Sequence, residues 1–180
     1  MTKVYGARLK NRSELMKSSS GGAFTAISDI FLENDDYILC SVYDYCAQEL
    51  RYEIITSKSR RDEARGSKYF SSYIKSSYKD AIELMKKNPT KKLLFVGMGC
   101  QAEGFRLLCE QKKIRDRVFI VDIICTSNPS QKVWKRYADS FKNIEYLTFK
   151  DKRNGWNNAT ALVVDNGEEK IFKSWLNLFY

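Results

Sequence analysis

Leu93-Leu94-Phe95-Val96-Gly97-Met98-Gly99-Cys100-Gln101 is the stretch on which the fold class turns. An apolar run of this length, stopped by two glycines, reads as a buried strand of an α/β sheet, with a helix opening at the cysteine. In open sheets of this kind ligands bind in the crevice at the carboxyl ends of the strands. Glycine permits close approach of backbone to a ligand, and a helix N-terminus favours anions and lowers the pKa of a thiol. Cys100 therefore stands where a cofactor or a reactive sulfur is expected. A buried structural cysteine after a sharp turn would leave the same signature.

Working outward, residues 3–10 read as an opening strand. The serines and glycines at 18–22 then lead into a helix over 23–32, whose apolar positions 23, 24, 27, 30 and 31 keep helical spacing. Strands are expected at 37–43 and 50–56, a short charged helix at 60–65, and a helix at 78–87 that stops at Pro89. Two strand–helix units follow, 93–96 with 102–111 and 118–125 with 131–141, the last capped by Ser130. Strands at 144–149 and 159–164 and the turn signal Asp165-Asn166-Gly167 predict an antiparallel end. The fold class is α/β (α+β): a mixed, partly parallel sheet flanked by helices, with an antiparallel hairpin near the C-terminus. Residues 1–180 read as one domain.

Composition narrows the chemistry. A chain of 180 residues suits a single core. No apolar run approaches the ~20 residues of a membrane span. Five cysteines, an odd number without dense spacing, and no export signal point to reduced thiols and a cytoplasmic location. Without histidine there is no Ser–His or Cys–His pair and no histidine metal site. No C-x-x-C pair is present, so no metal ligands are assigned and a self-contained iron–sulfur motif is not expected. The net charge of +9 suits an acidic partner or a phosphorylated cofactor, although solvated faces and helix ends give the same balance. Without a nucleic-acid motif beside that charge, a nucleic-acid partner is not expected.

The motifs that carry chemistry each admit two readings. Hydroxyls, two glycines and a helix start at 18–22 make either an anion cradle or a flexible helix cap. Gly66-Ser67-Lys68-Tyr69 sets a cation and an aromatic beside a glycine, as a phosphate-and-ring site or a surface loop would. Asp122 and Cys125 close an apolar strand, where a buried acid needs a partner. Residues 150–156 combine basic groups, glycine and tryptophan in one loop, suited to an anionic planar ligand or to a solvated turn.

Together, Ser-Ser-Ser-Gly-Gly-Ala-Phe at 18–24, Arg-Gly-Ser-Lys-Tyr at 65–69, Phe-Val-Gly-Met-Gly-Cys-Gln at 95–101, Val-Asp-Ile-Ile-Cys at 121–125 and Phe-Lys-Asp-Lys-Arg-Asn-Gly-Trp at 149–156 resemble the coenzyme F420 hydrogenase/dehydrogenase beta-subunit family. The resemblance implies a flavin oxidoreductase domain. Such a domain binds FAD and passes electrons between iron–sulfur carriers and an organic acceptor such as the deazaflavin coenzyme F420. It implies cofactor contacts at Ser20, Gly21, Gly22, Ser67, Lys68, Tyr69, Gly97, Gly99, Gln101, Asp122, Lys152 and Arg153, with Cys100 and Cys125 as the catalytic thiols. The implied partners are an iron–sulfur electron carrier or Cys-rich chain and an organic redox substrate. A [4Fe–4S] cluster is expected only if a Cys-rich segment or partner supplies ligands. The family's Gly-Thr-Pro-Cys turn reads Gly97-Met98-Gly99-Cys100 here, and its Cys-His-Gly reads Cys125-Thr126-Ser127. The family's cysteine-rich segment has no counterpart before residue 180, so a truncated or split enzyme is expected. The alternative is a degenerate, non-catalytic scaffold of the same fold.

Overall fold

The computed structural model describes residues 3–125, 127–155 and 160–173. Strands β1 (Tyr37–Asp44), β2 (Glu49–Ile55), β3 (Leu93–Met98) and β4 (Val118–Ile123) form one sheet in the order β2-β1-β3-β4. β1, β3 and β4 run parallel, and β2 returns antiparallel beside β1. Helices α2 (Ala23–Glu33), α3 (Lys58–Ala64), α4 (Ser77–Lys87) and α5 (Gly99–Gln111) cover the sheet. Both faces are covered, which is why β3 is a continuous apolar run rather than an alternating one.

Alternation still sorts the two faces. Leu39, Tyr52, Leu93 and Phe95 pack on Ala81, Ile82 and Met85 of α4 and on Ala102, Phe105 and Cys109 of α5. Ile38, Cys40, Val42, Leu94 and Val96 face the other way, onto Phe31 of α2 and Ala64 of α3. A third cluster joins Trp134 of α6 (Gln131–Ala138) to Tyr43, Leu50 and Phe70 and to Ile144, Leu147, Phe149 and Val163. The last four belong to a separate antiparallel sheet, β5 (Ile144–Asp151), β6 (Thr160–Asp165) and β7 (Glu168–Lys173), in the order β5-β6-β7.

The mixed α/β class expected from the sequence is therefore what the structure contains, with corrections of detail. Residues 3–9 form no strand, and their backbone bond to the rest of the described chain is Leu9 N–H to the carbonyl of Gly21, at 2.9 Å. A helix not expected from the sequence, α1 (Arg12–Lys17), follows them, capped by the Asn11 side chain. The serines do not cap α2. Its N-cap is Gly22 at φ 80°, with no side-chain cap bond, and the Ser18 hydroxyl bonds the Glu14 carbonyl and Thr25 Oγ1 instead. β4 is an edge strand rather than a buried one. Its Phe119, Asp122 and Ile123 are exposed, so the expected buried acid is not found. The hairpin turn is as read, with Asn166 and Gly167 at φ 52° and 80°. It joins β6 to β7, and β5 completes a three-stranded sheet. Thr126, Trp156, residue 159 and residues 174–180 lie outside the described residues.

Topology fixes where the motifs go. Only residues 34–36 separate α2 from β1, so α2 runs back along the sheet and begins at the carboxyl edge of the parallel strands. α5 begins at that edge directly after β3, and α3, leaving the far end of the antiparallel β2, ends there. Gly97 belongs to the packing that supports this edge. A Cβ on it would lie 2.1 Å from Tyr52 Oη and 2.8 Å from the Phe95 ring. Gly97→Ala is expected to destabilise the fold by about 1–3 kcal/mol, as overpacking does. An unchanged urea midpoint would mean that the Tyr52 ring has room to move.

Candidate functional site

Three of the sequence motifs meet around one small cavity. Ser19 Oγ hydrogen-bonds Ser67 Oγ at 3.1 Å, tying the 18–22 loop to the segment after α3. β5 and the residue after it supply the third wall. The cavity, about 80 Å³, is lined among others by Lys17, Ser18, Ser19, Gly66, Lys150 and Lys152, with Asp151 the acid among its lining. Such a volume holds a phosphate-sized group. It is well below the roughly 300–1,000 Å³ of a whole ligand pocket.

The cations there are not equally available. The Lys68 ammonium donates to the carbonyls of Ala64 at 2.9 Å and Arg65 at 2.6 Å, with Glu63 at 3.3 Å, closing the last turn of α3. Burial pulls its pKa down to about 8. Lys152 is buried and donates to the carbonyls of Leu15 and Ser18 at the end of α1, and burial, then Lys150, lowers its pKa as well. Arg153 is half-exposed and pairs with Asp151 at 2.5 Å and Glu169 at 2.8 Å. Tyr69 meets Phe149 edge-to-face, and the Lys150 ammonium lies 5.7 Å from the Tyr69 ring centroid.

The glycines at 21 and 22 serve a close chain crossing. A Cβ on Gly21 would lie 2.2 Å from the carbonyl oxygen of Ala7, and one on Gly22 would meet Leu9 at 2.4 Å. Ser20, at φ 46°, is exposed on the loop between.

The remaining candidates gather where β3 and β4 end. Gly97 pairs in register with Asp122. Gly99 opens α5, and a Cβ on it would stand 3.3–3.4 Å from the Asp122 carboxylate oxygens. Cys100 and Cys125 are both exposed, with Cys125 Sγ 3.7 Å from the Ser127 carbonyl. The Gln101 side chain is held on three sides. Its Oε1 accepts from Tyr52 Oη at 2.8 Å and from Met98 N–H at 3.4 Å, and its Nε2 donates to Ser72 Oγ at 3.0 Å.

The thiols do not assemble a metal centre. Cys40 and Cys109 are buried, with pKa values pushed up by burial to about 12 and about 11, while Cys46, Cys100 and Cys125 are exposed. Among the described residues no three potential ligands come together. The chain's own cysteines therefore do not fit a [4Fe–4S] cluster, which needs about four.

The sequence singles out neither Lys17 nor Thr148, which line the cavity, and no local pattern marks them. A larger cavity of about 650 Å³, between Tyr45, Cys46, Ala138, Phe141 and Asn143, contains none of the predicted residues.

The glycine turns, thiols and cations thus collect at the carboxyl edge of an α/β sheet, the edge at which open sheets of this kind bind ligands. Residues 90–174 match the family described as the C terminus of the coenzyme F420 hydrogenase/dehydrogenase beta subunit. No curated protein matches it. Among solved structures, the fold is similar to a chain of the xenon-derivatised F420-reducing [NiFe] hydrogenase complex from Methanosarcina barkeri. The TM-score is 0.63 and the identity 17%, with 92% of this chain covered. The match spans 58% of the length of that chain, and at this identity the likeness establishes the fold. Among the described residues no helix is long and apolar enough to cross a membrane.

Proposed function

We propose that residues 1–180 form a single cytoplasmic flavin-binding domain that carries electrons between an iron–sulfur partner and an organic acceptor. The observation that carries this reading is the meeting of the 18–22, 65–69 and 148–153 segments around one cationic, hydroxyl-lined cavity. That cavity lies at the same sheet edge as Gly99, Cys100, Asp122 and Cys125. The family match over residues 90–174 supports it, as does the presence of the similar chain in a multi-subunit hydrogenase complex. FAD would supply the redox chemistry and the chain its binding and electrostatics. The cavity takes the phosphate end, through Ser67, Tyr69, Lys152 and the 20–22 loop. The ring lies toward Gly97, Gly99, Cys100 and Gln101, where a Cβ at position 99 would crowd Asp122. Lys68 and Arg153 border the phosphate end, and clusters belong to the partner.

The second reading is a scaffold without electron transfer. It is favoured by residues whose polar groups the fold already uses, namely Lys68, Gln101 and the Gly21 crossing. Titration of the full chain with FAD, followed by flavin fluorescence, separates the two. The expected result is saturable quenching with FAD and none with NAD. Unquenched flavin up to millimolar protein would leave the scaffold.

A further inference from the structure

We infer that β4 is the contact between two copies of this chain, paired antiparallel, edge to edge, about a two-fold axis at Val121. The inference is independent of the flavin reading and starts from a contrast between the two edges of the main sheet.

The β2 edge is closed. Tyr52 N–H donates to the Tyr73 carbonyl at 2.9 Å, Tyr73 N–H donates to the Leu50 carbonyl at 2.8 Å, and Gln131 Nε2 reaches that same carbonyl at 2.6 Å. The β4 edge is open. Its ladder with β3 runs unbroken from Val118 to Ile123, without the bulge or proline that blunts an edge strand. Arg115 takes both backbone groups of Val118: its carbonyl accepts from Val118 N–H, and its Nη1 donates to the Val118 carbonyl at 2.6 Å. Among the described residues, no backbone bond reaches residues 119–123 from outside the ladder. Successive residues of a strand turn their N–H and C=O to opposite sides, so Ile120 and Asp122 share the outward direction of Val118. An edge of that kind is a template for a further strand.

The side chains point to a second copy as that strand. Phe119 and Ile123 are each 49% exposed and Ile124 is 96% exposed. The apolar strip continues onto Ile30 of α2, 61% exposed, whose neighbour Phe31 meets the Phe119 ring edge-on at 5.5 Å. Contiguous apolar surface marks a contact. The chain as a whole, at +9, repels its own copy, but residues 115–123 are balanced, with Arg115 and Arg117 against Asp116 and Asp122. Lys92, whose ammonium lies 6.0 Å from the Phe119 ring, is exposed and keeps its charge in solvent.

Pairing about Val121 sets Ile120 opposite Asp122 of the other copy, twice, so the outward N–H and carbonyl groups of each bond those of the other. The same register sets Phe119 opposite Ile123 on both sides of the axis, where facing Cβ atoms stand about 4.5–5.5 Å apart. The two Asp122 fall diagonal to each other. Each is also diagonal to the other copy's Val118, beside the Arg115 that offsets the like charge. Centring the pair on Ile120 instead would set Asp122 against Val118, whose groups Arg115 has taken. One patch thus meets itself, and the pairing closes as a two-fold dimer does.

Sedimentation equilibrium of the full chain from micromolar to millimolar concentration tests the inference. A reversible monomer–dimer equilibrium is expected, the dimer having twice the 21.0 kDa of the chain. Ile123→Lys, at an exposed position, should weaken it at least tenfold and leave the melting temperature of the monomer unchanged. Val121→Cys reads the register. On the axis it faces its own copy at a Cα spacing of about 4.5 Å, within disulfide range, and mild oxidation should cross-link it well beyond the parent or Ile120→Cys. If Val121→Cys fails to fold, Ile123→Lys carries the test. A monomer at every concentration overturns the inference. So does a dimer that Ile123→Lys leaves unchanged, or a folded Val121→Cys that cross-links no more than the parent. Asp122 also borders the proposed flavin ring, so oligomeric state is the readout here and FAD titration is kept separate. Dimers through β4 without FAD binding would remove the flavin reading alone, and FAD binding by a strict monomer would remove this one.

Discussion

Trp134→Ala is expected to cost about 3–5 kcal/mol, the range for removing a large buried aromatic. Trp134 is fully buried in α6 and stacks on Phe70 with ring centroids 4.2 Å apart and planes 4° from parallel. Its Nε1–H donates at 3.2 Å to both Tyr43 Oη and the Gln48 carbonyl. It also touches Phe149 of β5, so one side chain joins the β1–β2 turn, the segment carrying Phe70, and the C-terminal sheet. Alanine would leave a cavity and strip the Tyr43 hydroxyl of a donor, and the walls, drawn from three separate elements, cannot close together. Against a total stability of about 5–15 kcal/mol this is a large fraction. For a chain of this size it corresponds to a melting temperature lower by about 6–20 °C. Because Phe149 precedes the cavity residues Lys150 and Lys152, the loss should reach the candidate site as well. A two-state urea curve is the measurement. A midpoint within error of the parent would mean that the sheet β5-β6-β7 docks without this residue.

The fold was legible where one physical cause dominates a segment. β3 reads as a strand because five successive positions are buried, and α4 because Tyr78, Ala81, Ile82 and Met85 keep one helical face. The Asp165-Asn166-Gly167 turn is legible because a two-residue hairpin needs positive φ at both central positions. Residues 3–10 misled because a short run can look like a strand without naming a partner, and among the described residues they join neither sheet. β4 misled in the opposite way. An apolar run says nothing of whether a strand ends up central or at an edge, and Asp122 is exposed because β4 has one neighbour. At the site, the motifs were legible as stretches and much less so as roles. That 18–22, 65–69 and 148–153 meet is a tertiary fact. Which cation keeps free donors depends on whether a carbonyl from a finished helix end is within reach, and no spacing in the sequence records that.

Lys68 gives that last distinction a measurable form. Burial holds its pKa at about 8, against 10.5 for an exposed lysine. The charged form is the one the fold disfavours, so the sign is fixed. Below about pH 8 the ammonium is protonated folded and unfolded, and the full burial cost is present. Between about 8 and 10.5 the unfolded chain binds a proton that the folded chain has shed, so stability rises with pH. The drop from 10.5 to about 8 sets a ceiling of roughly 3 kcal/mol. The carbonyls of Ala64 and Arg65 remain good acceptors for the neutral amine, so α3 keeps its closing contacts through the window. Other groups titrate there too, and the informative quantity is a difference. Urea midpoints of the parent and of Lys68→Met should diverge in the parent's favour as pH goes from 7.5 to 10.5, by an amount approaching that ceiling. A difference that stays flat across the window would place the ammonium in water, where it would be free to meet a phosphate. A difference that grows makes Lys68 a part of the helix end, with charge to lose at alkaline pH.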